Sequence, residues 1–199
     1  MTEKIDLRII KTKSAIKQAF WKLLTQEDLS KITIKEIINE AQVNRATLYK
    51  YYANKYDLLD KVEIDLIDEF TRTTKTLPES FLKNTISDNE LRSYYSELTR
   101  FIYKNGEKFS VLLSPGGDPS FLNKLISVDK NLWQKKSLKK HLAIPEHYVF
   151  SAIIGMAISI ITEWVNSGFE ETPQEFFSVI ERIIMPIFSE NMTKTTLQE

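Results

Sequence analysis

The chain has no cysteine and only two histidines among its 199 residues. Without cysteine it can form neither a disulfide nor a thiolate metal site. The two histidines, His141 and His147, are too far apart in sequence for the H-x-x-x-H pair of a helical zinc site. No Ser/His/Asp set or nucleophile elbow stands near them. We therefore expect no enzymatic activity and no cofactor.

An excess of charge of one sign is also lacking, because 27 basic residues balance 27 acidic ones. No basic field therefore covers the whole protein. Residues 1–22, however, carry six lysine or arginine residues and only two acidic residues. A local basic end on a neutral protein is typical of a DNA-reading head joined to a body with another task. The N-terminus lacks the apolar segment of a signal peptide, so we expect a cytoplasmic protein.

Long apolar runs are scarce. The longest, YVFSAIIGMAISIIT at residues 148–162, is shorter than the roughly 20 residues that a membrane-spanning helix needs. We therefore expect no membrane partner. The run is apolar on nearly all sides, and it predicts a buried helix.

Apolar residues recur at helical spacing along most of the chain, which predicts an all-α protein of about nine helices. The composition, 42% hydrophobic, is enough for a substantial core. Helices are predicted from Asp6 to Thr25, from Asn54 to about Thr76 and from Ser120 to about His141, with others between the breaks at Pro78, Gly106 and Gly168. The paired glycines Gly116 and Gly117 follow no strand and precede no Lys-Ser/Thr, so they predict a turn and not a phosphate-binding loop.

Two short helices joined by a tight turn are predicted after Thr33. Thr33 and Glu36 have the spacing of a capping box that begins the first helix. Asn44 can cap the second helix, where Leu48 and Tyr52 face the core. The connection between the helices has the length that a helix-turn-helix needs.

The outward face of the second helix indicates DNA binding. It presents a cation, a small residue, a hydroxyl and an aromatic ring, in the set Arg45, Ala46, Thr47, Tyr49 and Lys50. Arginine can bind guanine edges or phosphates, and alanine allows close approach of the backbone. Arg45 and Lys55 both lie at helix N-termini, where the dipole disfavours cations unless they point at phosphates. An ordinary helical hairpin with a solvated basic face is the alternative.

The segment from Thr33 to Leu59 resembles the DNA-binding segment of the tetracycline-repressor (TetR) family of bacterial regulators. The resemblance is carried by TIKEI at residues 33–37, AQV at 41–43, RATLY at 45–49 and YYANKYDLL at 51–59. It implies DNA contacts by Thr33, Arg45, Thr47, Tyr49, Lys50 and Lys55, with close approach at Ala46. It also implies a DNA-binding domain at residues 1–53 and a regulatory and dimerisation domain at 54–199, linked by the helix from Asn54. Where many members have glycine in the turn, this chain has Gln42, which is strained if its φ is positive.

The last two predicted helices indicate an interface. One is apolar on all sides and the other has a broad stripe that includes Phe176, Ile180, Ile183 and Ile184, which together exceed what one chain can cover. The resemblance implies a homodimer through these two helices. The segment Ile161–Phe169 is similar to one found in a Gram-positive type branch of the family.

Two functions follow from these patterns. The first is a homodimeric repressor that binds a palindromic operator on double-stranded DNA and responds to a small-molecule effector. Its pocket would lie among the central helices, although their aromatic residues are more typical of a core. The second is a co-activator or protein-interaction module of the same fold with no inducer. The repressor needs a cavity of several hundred Å³, on the order of 300 or more, whereas the module has a filled body.

Overall fold

The computed structural model describes residues 7–73, 88–135 and 144–191, which form nine α-helices and no strand. This confirms the all-α prediction. The helices are α1 (Leu7–Leu24), α2 (Ile34–Glu40), α3 (Arg45–Tyr51), α4 (Lys55–Thr73), α5 (Asp88–Lys104), α6 (Gly106–Leu113), α7 (Pro119–Lys135), α8 (Glu146–Asn166) and α9 (Pro173–Asn191). The predicted ends at Thr76 and His141 lie outside the described residues.

Helices α1 to α3 form the N-terminal part of the molecule, called the head below. Its core consists of side chains that are fully buried: Ile16, Phe20, Ile37 and Leu48 are each 0% exposed. Helices as short as α2 and α3 are marginal in water by themselves. Packing on α1 therefore holds them in place, and the predicted apolar faces are those that become buried.

Helix α4 begins beside the head and runs into the rest of the molecule, called the body below. Leu58, Val62, Leu66 and Phe70 form its buried stripe, as the spacing predicts. The helix packs against α5 and α7. Residues at its start therefore lie beside the head and residues at its end lie in the body, although they belong to one continuous helix.

Helices α5 to α9 form the body, in which α9 packs against both α5 and α8. Trp164 of α8 stacks on Phe176 of α9 with ring centroids 4.0 Å apart, and its indole nitrogen donates to the Glu171 carbonyl at 2.9 Å. The capping box predicted at the start of α9 is present. The Thr172 amide donates to the Glu175 carboxylate at 2.9 Å, and the Glu175 amide donates to the Thr172 hydroxyl at 3.3 Å.

The prediction that α8 is buried on all sides is wrong. The apolar part of α8 extends past residue 162, so that His147–Asn166 is long and apolar enough, by length and composition, to cross a membrane. Only 22% of it is buried within the chain, which contradicts a helix buried on all sides. Ile183 of α9 is 41% exposed, although it lies beside the buried Ile180 and Ile184. Part of the apolar surface of α8 and α9 is therefore left uncovered by the described residues of one chain, as expected from the extent of the two apolar faces.

Candidate nucleic-acid interface

The first short helix is fixed at its start by the predicted capping box. The Glu36 amide donates to the Thr33 hydroxyl at 3.3 Å, and the Thr33 amide donates to the Glu36 carboxylate at 2.7 Å. Hydrogen bonds from the Thr33 hydroxyl and then from its amide lower the pKa of Glu36. Thr33 is exposed at the surface. Its hydroxyl therefore caps the start of the helix, and a DNA contact by Thr33 stays a prediction.

The turn between α2 and α3 has the geometry of a Schellman motif. The Val43 amide donates to the Ile38 carbonyl at 3.1 Å, and the Gln42 amide donates to the Asn39 carbonyl at 3.2 Å. Gln42 has a φ of 53°, in the left-handed region that this motif requires and that favours glycine. The strain expected for a side chain at this position is therefore present.

The second short helix starts at the predicted cap. The Asn44 side chain accepts a hydrogen bond from the Thr47 amide at 2.7 Å. Leu48 and Tyr52 are buried at 0% and 1% exposure, and they fix which side of α3 faces outward. That outward side is exposed at Arg45, Ala46, Tyr49 and Lys50 and half-buried at Thr47.

Arg45 and Tyr49 form a unit on this face. The guanidinium of Arg45 donates to the Tyr49 hydroxyl at 3.4 Å, and its central carbon lies 5.4 Å from the ring centroid. The ring of Tyr49 therefore restricts the guanidinium, and Tyr49 itself stays 44% exposed. A cation held over an exposed aromatic ring can bind a phosphate or a guanine edge with less loss of side-chain freedom.

Cations also surround Tyr51 at the end of α3. The ammonium groups of Lys13 and Lys50 lie 5.2 and 5.7 Å from its ring centroid. Lys13 comes from α1, so the structure brings an N-terminal lysine to the same side as Lys50. Two other α1 lysines differ, because Lys17 pairs with Asp65 and Lys22 pairs with Glu40. Among these three lysines of α1, Lys13 is thus the one placed next to the candidate interface.

Lys55 has an internal role that the sequence did not indicate. Its ammonium donates to the carbonyls of Leu29, Ser30 and Ile32 at 2.7, 2.9 and 2.8 Å. An ammonium has three donors, and all three are thereby used. The carbonyls explain a cation at a helix N-terminus without a phosphate. A DNA contact by Lys55 stays a prediction, and it requires Lys55 to give up one of these bonds.

The body holds a small apolar cavity of about 80 Å³. Side chains of α4 to α8 line it, with Thr162 as the polar member: Phe70, Leu98, Ile102, Phe109, Leu113, Leu122, Leu125, Ile126, Ile154, Ala157, Ile158, Ile161 and Thr162. Phe70 and Phe109 are its aromatic members among the described residues. The cavity is well below the size of a typical ligand site, on the order of 300 Å³ or more.

Comparison with known proteins gives two family matches. Residues 16–62 match the family of bacterial regulatory proteins of the tetR family. Residues 89–186 match the C-terminal region of transcriptional regulators of the same kind. Together the matches include both short helices of the head and most of the body.

Individual relatives agree with these matches. YxbF, an uncharacterised HTH-type transcriptional regulator of Bacillus subtilis strain 168, is 26% identical over 80% of this chain. The chain spans only 41% of the length of that relative. A TetR transcriptional regulator from Streptococcus agalactiae 2603V has a TM-score of 0.65 at 25% identity, over 89% of this chain and 95% of that one.

One further solved structure shows the same fold at low identity. NalD, the secondary repressor of the MexAB-OprM multidrug efflux pump in Pseudomonas aeruginosa, has a TM-score of 0.67 at 15% identity, over 94% of this chain and 99% of that one. The matched families and relatives are regulators and not enzymes. This confirms the expectation of no enzymatic activity; the absence of a cofactor stays a prediction.

Proposed function

The chain belongs to the TetR family of bacterial transcriptional regulators, and we propose that it is a cytoplasmic repressor that binds a palindromic operator as a homodimer. The domain division at residue 53 is part of this proposal. The single observation that carries DNA binding is the exposed face of α3, where Arg45 lies against Tyr49 and where Ala46 and Lys50 are also exposed. We assign DNA contacts to these four residues and to Thr33 and Thr47, with Lys55 retained only as the weaker prediction described above.

The surface of α8 supports the homodimer. Tyr148, Ala152, Gly155 and Ser159 lie along one stripe of the helix, and all are exposed. A Cβ atom added to Gly155 would meet nothing within 4 Å, so no contact inside the described chain requires glycine there. Glycine inside a helix costs about 1 kcal/mol relative to alanine. Close approach of a second copy of the chain explains why position 155 is glycine. The second copy also covers the apolar surface that remains exposed on α8 and at Ile183.

A dimer gives the DNA-binding heads their geometry. Helix-turn-helix dimers bind half-sites about 34–36 Å apart, and a palindromic operator mirrors their two-fold symmetry. The proposed repressor role is taken from NalD, which is described as a repressor and has the same fold. A small-molecule effector acts by binding one spacing of the heads better than another.

The size of the body cavity favours a second candidate, a regulator of this fold without an inducer. At about 80 Å³ the cavity accepts only a small apolar group unless its walls move apart. The two candidates differ in one measurement. An effector-responsive repressor is released from its operator by some members of a panel of small uncharged apolar molecules, whereas the other candidate stays bound with all of them.

Fluorescence anisotropy tests DNA binding directly. The purified protein is titrated into labelled DNA that flanks its own gene and into a shuffled duplex, across a series of salt concentrations. The proposal predicts saturable binding at two chains per site, tighter than to the shuffled duplex. Equal and steeply salt-dependent binding to both duplexes is non-specific phosphate contact and contradicts it.

Sedimentation of a Gly155→Arg variant tests the dimer. An arginine on this stripe does not disturb the chain itself, because the position faces open space. We expect the variant to be monomeric and folded, whereas Asn123→Arg, at an exposed position of α7, stays dimeric. A dimeric Gly155→Arg variant contradicts the proposed interface.

A further inference from the structure

A buried carboxylate lies at the junction between head and body. Glu63 of α4 is 0% exposed. Its Oε2 accepts a hydrogen bond from the Lys124 ammonium of α7 at 2.6 Å, and its Oε1 is buried with no hydrogen-bond partner among the described residues. Replacing a buried ion pair with apolar residues is often neutral or stabilising. Stability alone therefore gives no reason for this pair.

Lys124 gathers the acidic groups of the junction. Besides Glu63, its ammonium pairs with Asp60, one turn earlier on α4, and lies 3.8 Å from Asp118 at the start of α7. Burial opposes the ionised form of Asp118, but hydrogen bonds from Ser120 and the charge of Lys124 lower its pKa. The lysine therefore joins two carboxylates of α4 to the helix that carries it.

A glycine turn brings the body against the head close to this junction. A Cβ atom added to Gly116 would lie 2.7 Å from Oδ1 of Asp28, in the connection between α1 and α2. Lys55, at the start of α4, holds the same connection through its three carbonyl bonds. Helix α4 is thus fixed to the head at its start and to α7 about 12 Å further along its axis.

Helix α7 also forms a wall of the apolar cavity. Leu122, Leu125 and Ile126 line it on the α7 side, and Phe70 lines it from α4. Any molecule larger than the cavity has to move these walls. A shift of α7 moves Lys124 relative to Glu63, and an unpaired carboxylate in a buried site is strongly unfavourable. A movement of α7 therefore either carries α4 with it or separates Lys124 from Glu63.

We propose that Lys124 is the positioning residue that fixes α4, and through it the spacing of the two DNA-binding heads. This inference rests on the proposed function, because spacing matters only for a dimer on a two-part operator. Lys124 is not among the residues assigned to DNA contacts. It acts through Asp60 and Glu63, and it transmits movement of the cavity wall to the head.

The test compares affinity for operators whose half-sites are moved by one base pair, or about 3.4 Å. The variants are Lys124→Met and Lys124→Arg, with Lys17→Met as the matched control. The Lys17 side chain has the same 27% exposure as Lys124 and also pairs with an α4 carboxylate, Asp65, but from α1 within the head. The measured quantity is the ratio of the dissociation constants for the altered and the native spacing.

Lys124→Met is expected to lower this ratio by about 2- to 30-fold, the range of couplings carried by residues remote from a ligand. Lys124→Arg and Lys17→Met are expected to keep the wild-type ratio. Because the readout is a ratio, a uniform loss of phosphate contacts does not change it. If Lys124→Met does not fold, the double variant Glu63→Leu/Lys124→Met replaces the pair with apolar groups and takes its place.

An unchanged ratio in the folded Lys124→Met variant, or in the double variant, overturns the inference while leaving the proposed function intact. A similar fall of the ratio in Lys17→Met also overturns the inference, because the dependence on spacing would then not be specific to the junction between α4 and α7. If the wild-type protein itself does not distinguish operator from shuffled duplex, the proposed function fails, and this inference fails with it.

Discussion

Arg45 and Tyr49 are one turn apart on α3, and the guanidinium of Arg45 donates to the Tyr49 hydroxyl at 3.4 Å while its central carbon lies 5.4 Å from the ring centroid. Both side chains are exposed. The arrangement stabilises the fold little, because exposed pairs are worth about 0–1 kcal/mol. Its value lies in presenting a restricted cation and an aromatic surface to a ligand.

Alanine at either position therefore separates binding from folding. We expect Arg45→Ala and Tyr49→Ala to weaken operator binding by about 1–3 kcal/mol each and to change the free energy of unfolding by less than about 0.5 kcal/mol. Anisotropy and urea unfolding measure the two quantities. Arg100→Ala, at an exposed position of α5, is the control. If both variants bind the operator with wild-type affinity, the assignment of α3 as the DNA-reading helix is wrong.

Lys55 is expected to act on stability first. Lys55→Met removes the three bonds to the connection between α1 and α2. Hydrogen bonds from charged groups contribute about 1.5–3 kcal/mol, so we expect unfolding to become easier by about 2 kcal/mol. Lys35→Met, at an exposed position of α2, is the control and should have little effect. If Lys55→Met loses operator affinity without losing stability, Lys55 is a phosphate contact instead.

Gln42 offers a stabilising substitution. A left-handed conformation costs a residue with a side chain about 1–2 kcal/mol, and Gln42 has a φ of 53°. Gln42→Gly removes that cost, less a part for the greater freedom of glycine in the unfolded chain. We expect a gain of about 0.5–1 kcal/mol in the free energy of unfolding. The same change at Gln18, inside α1, should destabilise by about 1 kcal/mol. A loss in both variants contradicts the assigned turn.

Much of the head could be predicted because its signals are local. The capping box at Thr33, the cap at Asn44 and the left-handed turn at Gln42 each depend on residues within one or two turns. Lys55 and Lys124 could not be interpreted in this way. Their partners, such as Leu29 and Glu63, lie 26 and 61 residues away, and no spacing rule relates such positions. The excess of apolar surface on α8 and α9 could be predicted, but periodicity does not show which side of α8 the chain itself covers and which side stays exposed.

Glu63 makes stability depend on pH. Burial raises the pKa of Glu63 to about 7 from an ordinary value of 4.5; Lys124 opposes this shift, and Asp118 and Asp60 support it. The folded chain therefore binds this proton more tightly than the unfolded chain does. The resulting stability is fully present below about pH 4.5 and is lost as the pH rises through about 7.

The comparison with Glu63→Gln isolates this effect from other titrating groups. We expect the free energy of unfolding of the wild type, relative to that of the variant, to fall by about 1–3 kcal/mol across this window. Urea unfolding at steps of pH measures it, with Glu107→Gln, an exposed position of α6, as the control. A difference between wild type and Glu63→Gln that stays constant with pH contradicts the buried, proton-binding carboxylate.

We propose that two copies of this chain read two half-sites with α3. Footprinting of DNA that flanks the gene, with the wild-type protein and with Arg45→Ala, tests it most directly. We expect two protected segments of related, inverted sequence, about 34–36 Å apart between their centres, with both lost in the variant although it still dimerises. A single or continuous protected region that the variant leaves unchanged would contradict DNA reading by two copies of α3.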